Sequence, residues 1–251
     1  MDLTGKIAIV TGAATGIGLA IARKLASRGA TIVVADIRDP EIGAQAVRHD
    51  GFEALAVETD VSSKDSVERM VRTTVDRFGT VDILVNNAAI SQEIRLKRFE
   101  EITETEFSRM LAVNTTGVFF CCQAVSSIMR AKKWGRIVNI TSGTAFKGAP
   151  FLLHYTSSKG AVMSMTRSLA REFGADNVLV NAVSPGYTLS EGNLANAEFL
   201  AVYRKAAIET RSILRDAYPD DISGTVAFLA SEDAGFITGQ IIAVDGGSVY
   251  H

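Results

Sequence analysis

Tyr155 and Lys159 stand four residues apart in Tyr155-Thr156-Ser157-Ser158-Lys159, and Ser142 precedes the tyrosine by thirteen residues. On a helix opening at Tyr155 and running to about Phe173, that i,i+4 spacing sets phenol and ammonium on one face. A free tyrosine, with a pKa of about 10, is a poor base near neutrality. A cation held beside it stabilises the phenolate, which can then take the proton of an alcohol hydroxyl. A serine at a strand end can hydrogen-bond the same oxygen and stabilise charge there in either direction of reaction. Interconversion of an alcohol and a ketone is the chemistry these side chains allow.

A second group of residues suits a pyrophosphate. Thr11-Gly12-Ala13-Ala14-Thr15-Gly16-Ile17-Gly18 follows an apolar strand and leads into helical Leu19-Ala20-Ile21-Ala22-Arg23-Lys24-Leu25. Glycines at 12, 16 and 18 let the backbone turn tightly and approach the phosphates, whose charge is drawn to free N–H groups at the helix start. Thr15 and Ile17 fall within the same turn and are expected at the cofactor. The spacing departs from GxGxxG, so the strand, turn and helix setting carries the reading. Asp36, 18 residues past Gly18, ends the next strand, where a carboxylate accepts hydrogen bonds from ribose hydroxyls and repels a 2′-phosphate. Thr15 and Ile37 offer that phosphate no cation, and Arg38 is the only basic side chain close by. NAD(H) is therefore expected over NADP(H).

These residues need a scaffold that brings distant segments together. Seven runs of β-branched and apolar residues, Ile7 to Thr11, Thr31 to Ala35, Ala54 to Glu58, Ile83 to Val85, Arg136 to Ile140, Val178 to Val183 and Ile241 to Val244, alternate with helical segments. Several are apolar without alternation, which predicts a parallel sheet covered on both faces. From Lys64 to Phe78, Val67, Val71, Val75 and Phe78 share one face and charged residues the other, as in a surface helix. The expected fold is α/β, a single-domain doubly wound (Rossmann) fold with about seven parallel strands and helices on both sides. No linker or repeat divides residues 1–251. Tyr187 to about Ala197 is the least patterned stretch, either a mobile lid or an ordinary surface loop, ahead of a helix from Glu198 to Arg211; together they give a substrate loop at about 187–211.

Composition narrows the partners. Among 251 residues, 26 are basic and 28 acidic, so no bulk positive field holds nucleic acid or an anionic membrane. Cys121 and Cys122 adjoin in an apolar helical stretch and are expected as reduced core thiols. His49, His154 and His251 are far apart and form no metal-ligand spacing, so no metal is expected. Without a signal-like N-terminus or an 18-residue apolar run, a soluble cytoplasmic protein is the expectation. The sequons at Asn114 and Asn139 lie in segments that read as internal.

Glycines at 12, 16 and 18, Asp60-Val61, Asn86-Asn87-Ala88-Ala89, Asn114, Ser142, Tyr155 with Lys159, and Pro185-Gly186 follow one another in an order that resembles the classical short-chain dehydrogenases/reductases over essentially the whole chain. The resemblance implies a catalytic tetrad of Asn114, Ser142, Tyr155 and Lys159, with Asn114 holding a water that links Lys159 to a proton relay. It further implies that Asp60 and Val61 flank the adenine, that Asn87, with Ala88 beside it, touches the adenosine ribose or the nearby backbone, and that Lys159 bonds the nicotinamide ribose. Past Pro185 and Gly186, Thr188 and Ser190 would face the carboxamide. Ala89 and Ser190 depart from the usual Gly and Thr. A homotetramer is also implied.

Strand ends predict a substrate pocket from Ile90 to Glu93, Thr144, Ala145, Phe151 to His154, Tyr187 and the loop beyond it, mostly apolar, which suits a secondary alcohol or ketone with hydrophobic or aromatic substituents. His154 could orient substrate or be a solvated helix-start residue. The C-terminal run Phe236 to His251 and the His154-Tyr155 pair resemble the 1-phenylethanol dehydrogenase branch. The closest rival is a 3-oxoacyl-[acyl-carrier-protein] reductase, which needs a basic mouth for its acidic carrier. Arg95, Lys97 and Arg98 could supply one, but Glu93, Glu100 and Glu101 dilute it. A non-catalytic NAD sensor on the same fold is a third reading, disfavoured because all four tetrad residues are present.

Overall fold

Residues alternate along each central strand between two apolar layers, and that requirement explains the continuous hydrophobic runs. In β1 (Ile7–Thr11), Ala8 and Val10 join one core while Ile7 and Ile9 join the other. The same split divides Ile32 and Val34 from Val33 and Ala35 in β2 (Thr31–Asp36), and Ile83 and Val85 from Leu84 in β4 (Ile83–Asn86). With β3 (Ala54–Glu58), β5 (Gly135–Ile140), β6 (Val178–Pro185) and β7 (Ile241–Val244) they form one parallel sheet in the order β3-β2-β1-β4-β5-β6-β7. This computed structural model describes residues 1–91 and 93–250, apart from the side chains of Glu198 and Phe199. His251, part of the C-terminal resemblance, lies outside the described residues.

Helices α1 (Gly16–Ala26), α2 (Pro40–His49) and α10 (Pro219–Leu229) cover one face, while α3 (Lys64–Phe78), α5 (Gly117–Lys132) and α7 (Leu153–Phe173) cover the other. Sequence chemistry fixes their ends. Asp39 caps α2 by accepting from Glu41 N with Pro40 at the first turn, and Ser63 caps α3, which stops at left-handed Gly79. Cys121 and Cys122 are buried free thiols on α5, and burial holds both pKa values up, that of Cys122 at about 12. Asn114 and Asn139 are fully buried.

The helix that carries Cys121 and Cys122 is not regular along its length. It starts as α4 (Glu104–Leu111), whose Thr103 and Glu106 form a reciprocal cap, widens into a π turn over Ala112–Thr116, and resumes as α5. Asn114 sits in the wide turn. Residues 104–132 are also the one stretch, among the described residues, long and apolar enough to cross a membrane. Three further short or displaced elements surround the strand ends: α6 (Thr144–Lys147), α8 (Glu191–Ala195) within the segment expected to be irregular, and α9 (Ala197–Glu209). The order reverses at β1, which pairs with both β2 and β4, so a crevice opens there at the carboxyl ends of the strands.

Candidate active site

The glycine turn lies in that crevice. Gly12 and Gly16 have φ of +65° and +61°, which side-chain-bearing residues rarely adopt. Gly18 is needed for another reason: a Cβ there would stand 2.1 Å from Gly12 O, so only glycine lets α1 start against the end of β1. Asp36, at the tip of β2, takes Ala14 N–H on one carboxylate oxygen at 3.0 Å and Arg38 N–H on the other at 3.0 Å. Asn87 spends its amide on the carbonyls of Thr11 (3.0 Å) and Gly12 (2.9 Å), joining the ends of β4 and β1. It therefore acts on the backbone beside the cofactor site. Asp60 is tied to Ser62 at 2.9 and 2.7 Å, and Val61 packs where a Cβ on Gly117 would collide.

At the other end of the crevice β5 delivers Ser142, and α7 delivers Tyr155 and Lys159. Thr144 donates to Ser142 Oγ from its backbone N–H (3.3 Å) and its hydroxyl (3.0 Å). Burial pushes the Tyr155 phenol up, and its hydrogen bond with Ser142 pulls it partly back. Lys159 Nζ donates to Ile140 O at 2.9 Å and lies 5.9 Å from the Tyr155 ring centre. Burial lowers its pKa from 10.5 to about 8, so the ammonium is still mostly charged at neutral pH. Asn114 lies behind these groups, fully buried: its Oδ1 accepts from Ile90 N (2.8 Å), and its Nδ2 donates to Ile90 O (3.2 Å) and Ser158 Oγ (3.2 Å). Its amide is thus committed to positioning the turn after β4 against α7.

One cavity of about 750 Å³ joins both ends. Its walls include Gly12, Thr15, Ile17, Gly18, Asp36, Asp60, Val61, Asn87, Ala88, Ser142, Thr144, Tyr155, Lys159, Pro185, Gly186, Tyr187, Thr188 and Ser190. Gly16 and Asn114 stand behind the wall. A dinucleotide fits this arrangement: the turn has the room a Cβ would take from it, and Asp36 and the Tyr155–Lys159 pair line opposite ends of one cavity. Thr188 is buried with its hydroxyl donating to Gly186 O, and Ser190 caps α8. A smaller hollow of about 430 Å³ between α3 and α5 is remote from the strand ends.

Substrate expectations fare less evenly. Ile90, Ser91, Glu93, Leu152 and Tyr187 line the cavity, and Gln92 lies outside the described residues. Ala145, Phe151, Leu153 and His154 do not line it. Phe151 is exposed at φ +64°, its carbonyl holding Lys97 N–H. The helix opens at Leu153 rather than Tyr155, and one residue is about 100° of helical turn, so His154 faces away from the tyrosine. It is buried, neither a solvated helix-start residue nor a cavity group, and burial lowers its pKa against the opposing pull of Glu106. Tyr203, Ala206, Ala207 and Thr210, within the expected substrate loop at about 187–211, line the cavity, and so do Ile94 and Lys147, which are absent from the expected set. Residues 203, 206, 207 and 210 repeat at i, i+3, i+4 and i+7, a helical face legible in the sequence.

Comparison with known proteins gives a consistent frame. The family profile described as enoyl-(acyl carrier protein) reductase matches residues 12–249. A 3-oxoacyl-[acyl-carrier-protein] reductase of Synechocystis is 38% identical, covering 98% of both chains. A 3alpha-hydroxysteroid dehydrogenase of Mediterraneibacter gnavus is 37% identical, again over 98% of both. A solved structure described as a short-chain alcohol dehydrogenase of Sinorhizobium meliloti superimposes with a TM-score of 0.91 at 33% identity, covering 98% of this chain and 97% of that one.

Proposed function

Since the chain belongs to the short-chain dehydrogenase/reductase family, a family of nicotinamide-dependent oxidoreductases acting on CH–OH groups, we propose that it interconverts a 3-hydroxyacyl and a 3-oxoacyl thioester using NAD(H). The observation that carries the chemistry is the single cavity that has Asp36 at one end and Ser142, Tyr155 and Lys159 at the other. Similarity to the 3-oxoacyl reductase favours a thioester over the aryl ketone that the sequence put first. The second reading, a bulky hydrophobic alcohol, is supported by the cluster of Ile94, Leu152, Tyr155, Tyr187 and Tyr203.

When bound, the nicotinamide supplies or accepts hydride at the substrate carbon. Ser142, with its hydroxyl rotor set by Thr144, donates to the substrate oxygen, while Tyr155 delivers a proton to it in reduction and removes one in oxidation. Lys159 holds positive charge beside the phenol and so lowers the cost of its phenolate. Asn114 acts through Ile90 and Ser158, keeping the turn after β4 and the catalytic helix in register. Asp36 reserves the ribose end for an unphosphorylated adenosine. Arg38 is ion-paired with Glu93, which leaves its charge partly neutralised. A homotetramer in the cytoplasm is part of the same proposal, and light scattering that shows a monomer at micromolar concentration would remove the tetramer.

The test is kcat/KM for acetoacetyl thioester and acetophenone with NADH and with NADPH. The thioester with NADH is expected to be best. Acetophenone as the better substrate would restore the aryl ketone reading, and NADPH as the better cofactor would overturn the role given to Asp36.

A further inference from the structure

Past the reacting serine, one part of the cavity wall is polar and charged. Lys147, on the single-turn helix α6, directs Nζ to Thr210 Oγ1 at 3.4 Å and to Ser248 Oγ, and the two hydroxyls are 2.9 Å apart. All three residues line the cavity. They come from segments separated by 63 and 101 positions, so the meeting is made by the tertiary fold. Two hydroxyls occupy two ammonium hydrogens and supply no countercharge.

The neighbouring charges leave the corner positive. Arg211, buried beside Thr210, gives its guanidinium to the carbonyls of Tyr187 and Arg215. Asp245 is the one carboxylate among the described residues lining this corner, and it forms an ion pair with neither cation. Its Oδ1 accepts Gly247 and Ser248 N–H at 3.0 Å each, and its buried Oδ2 has no partner. Burial lowers the Lys147 pKa; Asp245 opposes that and Arg211 adds to it. Asp216 and Asp221 also face Arg211 but are ion-paired with Arg204 and Arg215, so the corner holds one cation more than it holds carboxylates and matches a monoanion.

We infer that Lys147, Thr210 and Ser248 form a subsite for a carboxylate on the substrate, a few bonds from the carbonyl that reacts. A carboxylate would accept hydrogen bonds from the free ammonium N–H and from the Ser248 hydroxyl, the Thr210 hydroxyl being turned to Ala207 O, and both would be charge-assisted. α6 starts two residues after Ser142 and Thr144 holds Ser142 Oγ twice, so the backbone that carries the ammonium adjoins the reacting hydroxyl, with Lys147 and Thr210 at the exposed mouth of the cavity. This assignment rests on the reading of Ser142 and Tyr155 as the carbonyl site.

Calorimetric titration of the NAD-loaded enzyme with 4-oxopentanoate and with its neutral amide tests the subsite independently of turnover. The acid is expected to bind at least about tenfold tighter than the amide in the wild type, with that preference lost in Lys147→Met and retained in Lys147→Arg. Equal binding of acid and amide to the wild type, or an undiminished preference in Lys147→Met, overturns the subsite. NADH consumption answers the other question: an acid bound through Lys147 but never reduced would keep the subsite and remove the carbonyl reading.

Discussion

At the cofactor end of the cavity the work is done by backbone: Gly12 and Gly16 bend the chain through positive φ, Gly18 lets α1 touch the tip of β1, and Asn87 ties two strand ends through carbonyls. At the substrate end it is done by side chains gathered from α6, α9 and the C-terminal loop, as when Lys147 meets Ser248 across 101 positions. A backbone cradle constrains residue type at fixed local spacing and tolerates almost no change. A wall of side chains can be rebuilt one residue at a time, which is how one scaffold serves relatives with different substrates.

That contrast can be broken most forcefully at Gly18. Gly18→Ala puts a methyl 2.1 Å from Gly12 O, and we expect NADH affinity, followed by fluorescence titration, to fall by about a hundredfold or the protein to lose cooperative folding. Near-normal binding would show that the turn has slack. Asp36→Asn comes next: the NADPH to NADH ratio of kcat/KM should rise about ten- to a hundredfold, because charge repulsion goes while the fold stays. An unchanged ratio would mean that discrimination lies elsewhere.

Lys159 sharpens the comparison by separating function from stability. Its folded pKa of about 8 is below the ordinary 10.5, so the unfolded chain binds the proton more tightly between those values. The resulting penalty, about 3 kcal/mol, is fully present below pH 8 and is relieved as pH rises toward 10.5. Lys159→Met should therefore lose most activity yet unfold in urea at pH 7 no more readily than wild type, the gap shifting in favour of wild type between pH 8 and 10.5. In wild type, ketone reduction should weaken as pH passes about 8 and the ammonium is lost. Earlier unfolding of the variant at pH 7 would contradict the desolvation argument. Smallest of all, Gly224→Ala on α10 meets nothing within 4 Å of its new methyl and should stabilise by about 0.5–1 kcal/mol, the opposite sign from Gly18. A destabilised Gly224→Ala would show hidden packing on that face.

The same contrast sets what the sequence reveals. The glycine turn, Asp36, and the Tyr155–Lys159 pair are local spacings, each readable because chemistry and geometry coincide within a few residues. Strands were legible to within one or two residues because both faces of the sheet are buried. The π turn around Asn114 left no mark, since its residues are ordinary helix occupants and the i→i+5 bonding answers to packing against Ile90 and Ser158. The start of α7 lies two residues before the point the sequence suggests, and His154 is buried within reach of the Glu106 charge on α4. The Lys147 corner is a meeting of three distant segments that periodicity cannot report.

The central claim, hydride exchange at a carbonyl poised by Tyr155, is tested most directly by Tyr155→Phe assayed for NADH binding by fluorescence and for NADH consumption with acetoacetyl thioester. We expect binding within about twofold of wild type and turnover lower by about a thousandfold or more, since the phenol hydroxyl is the only group removed. Retained turnover in the variant, or a wild type that binds NADH tightly and reduces no ketone at all, would contradict it.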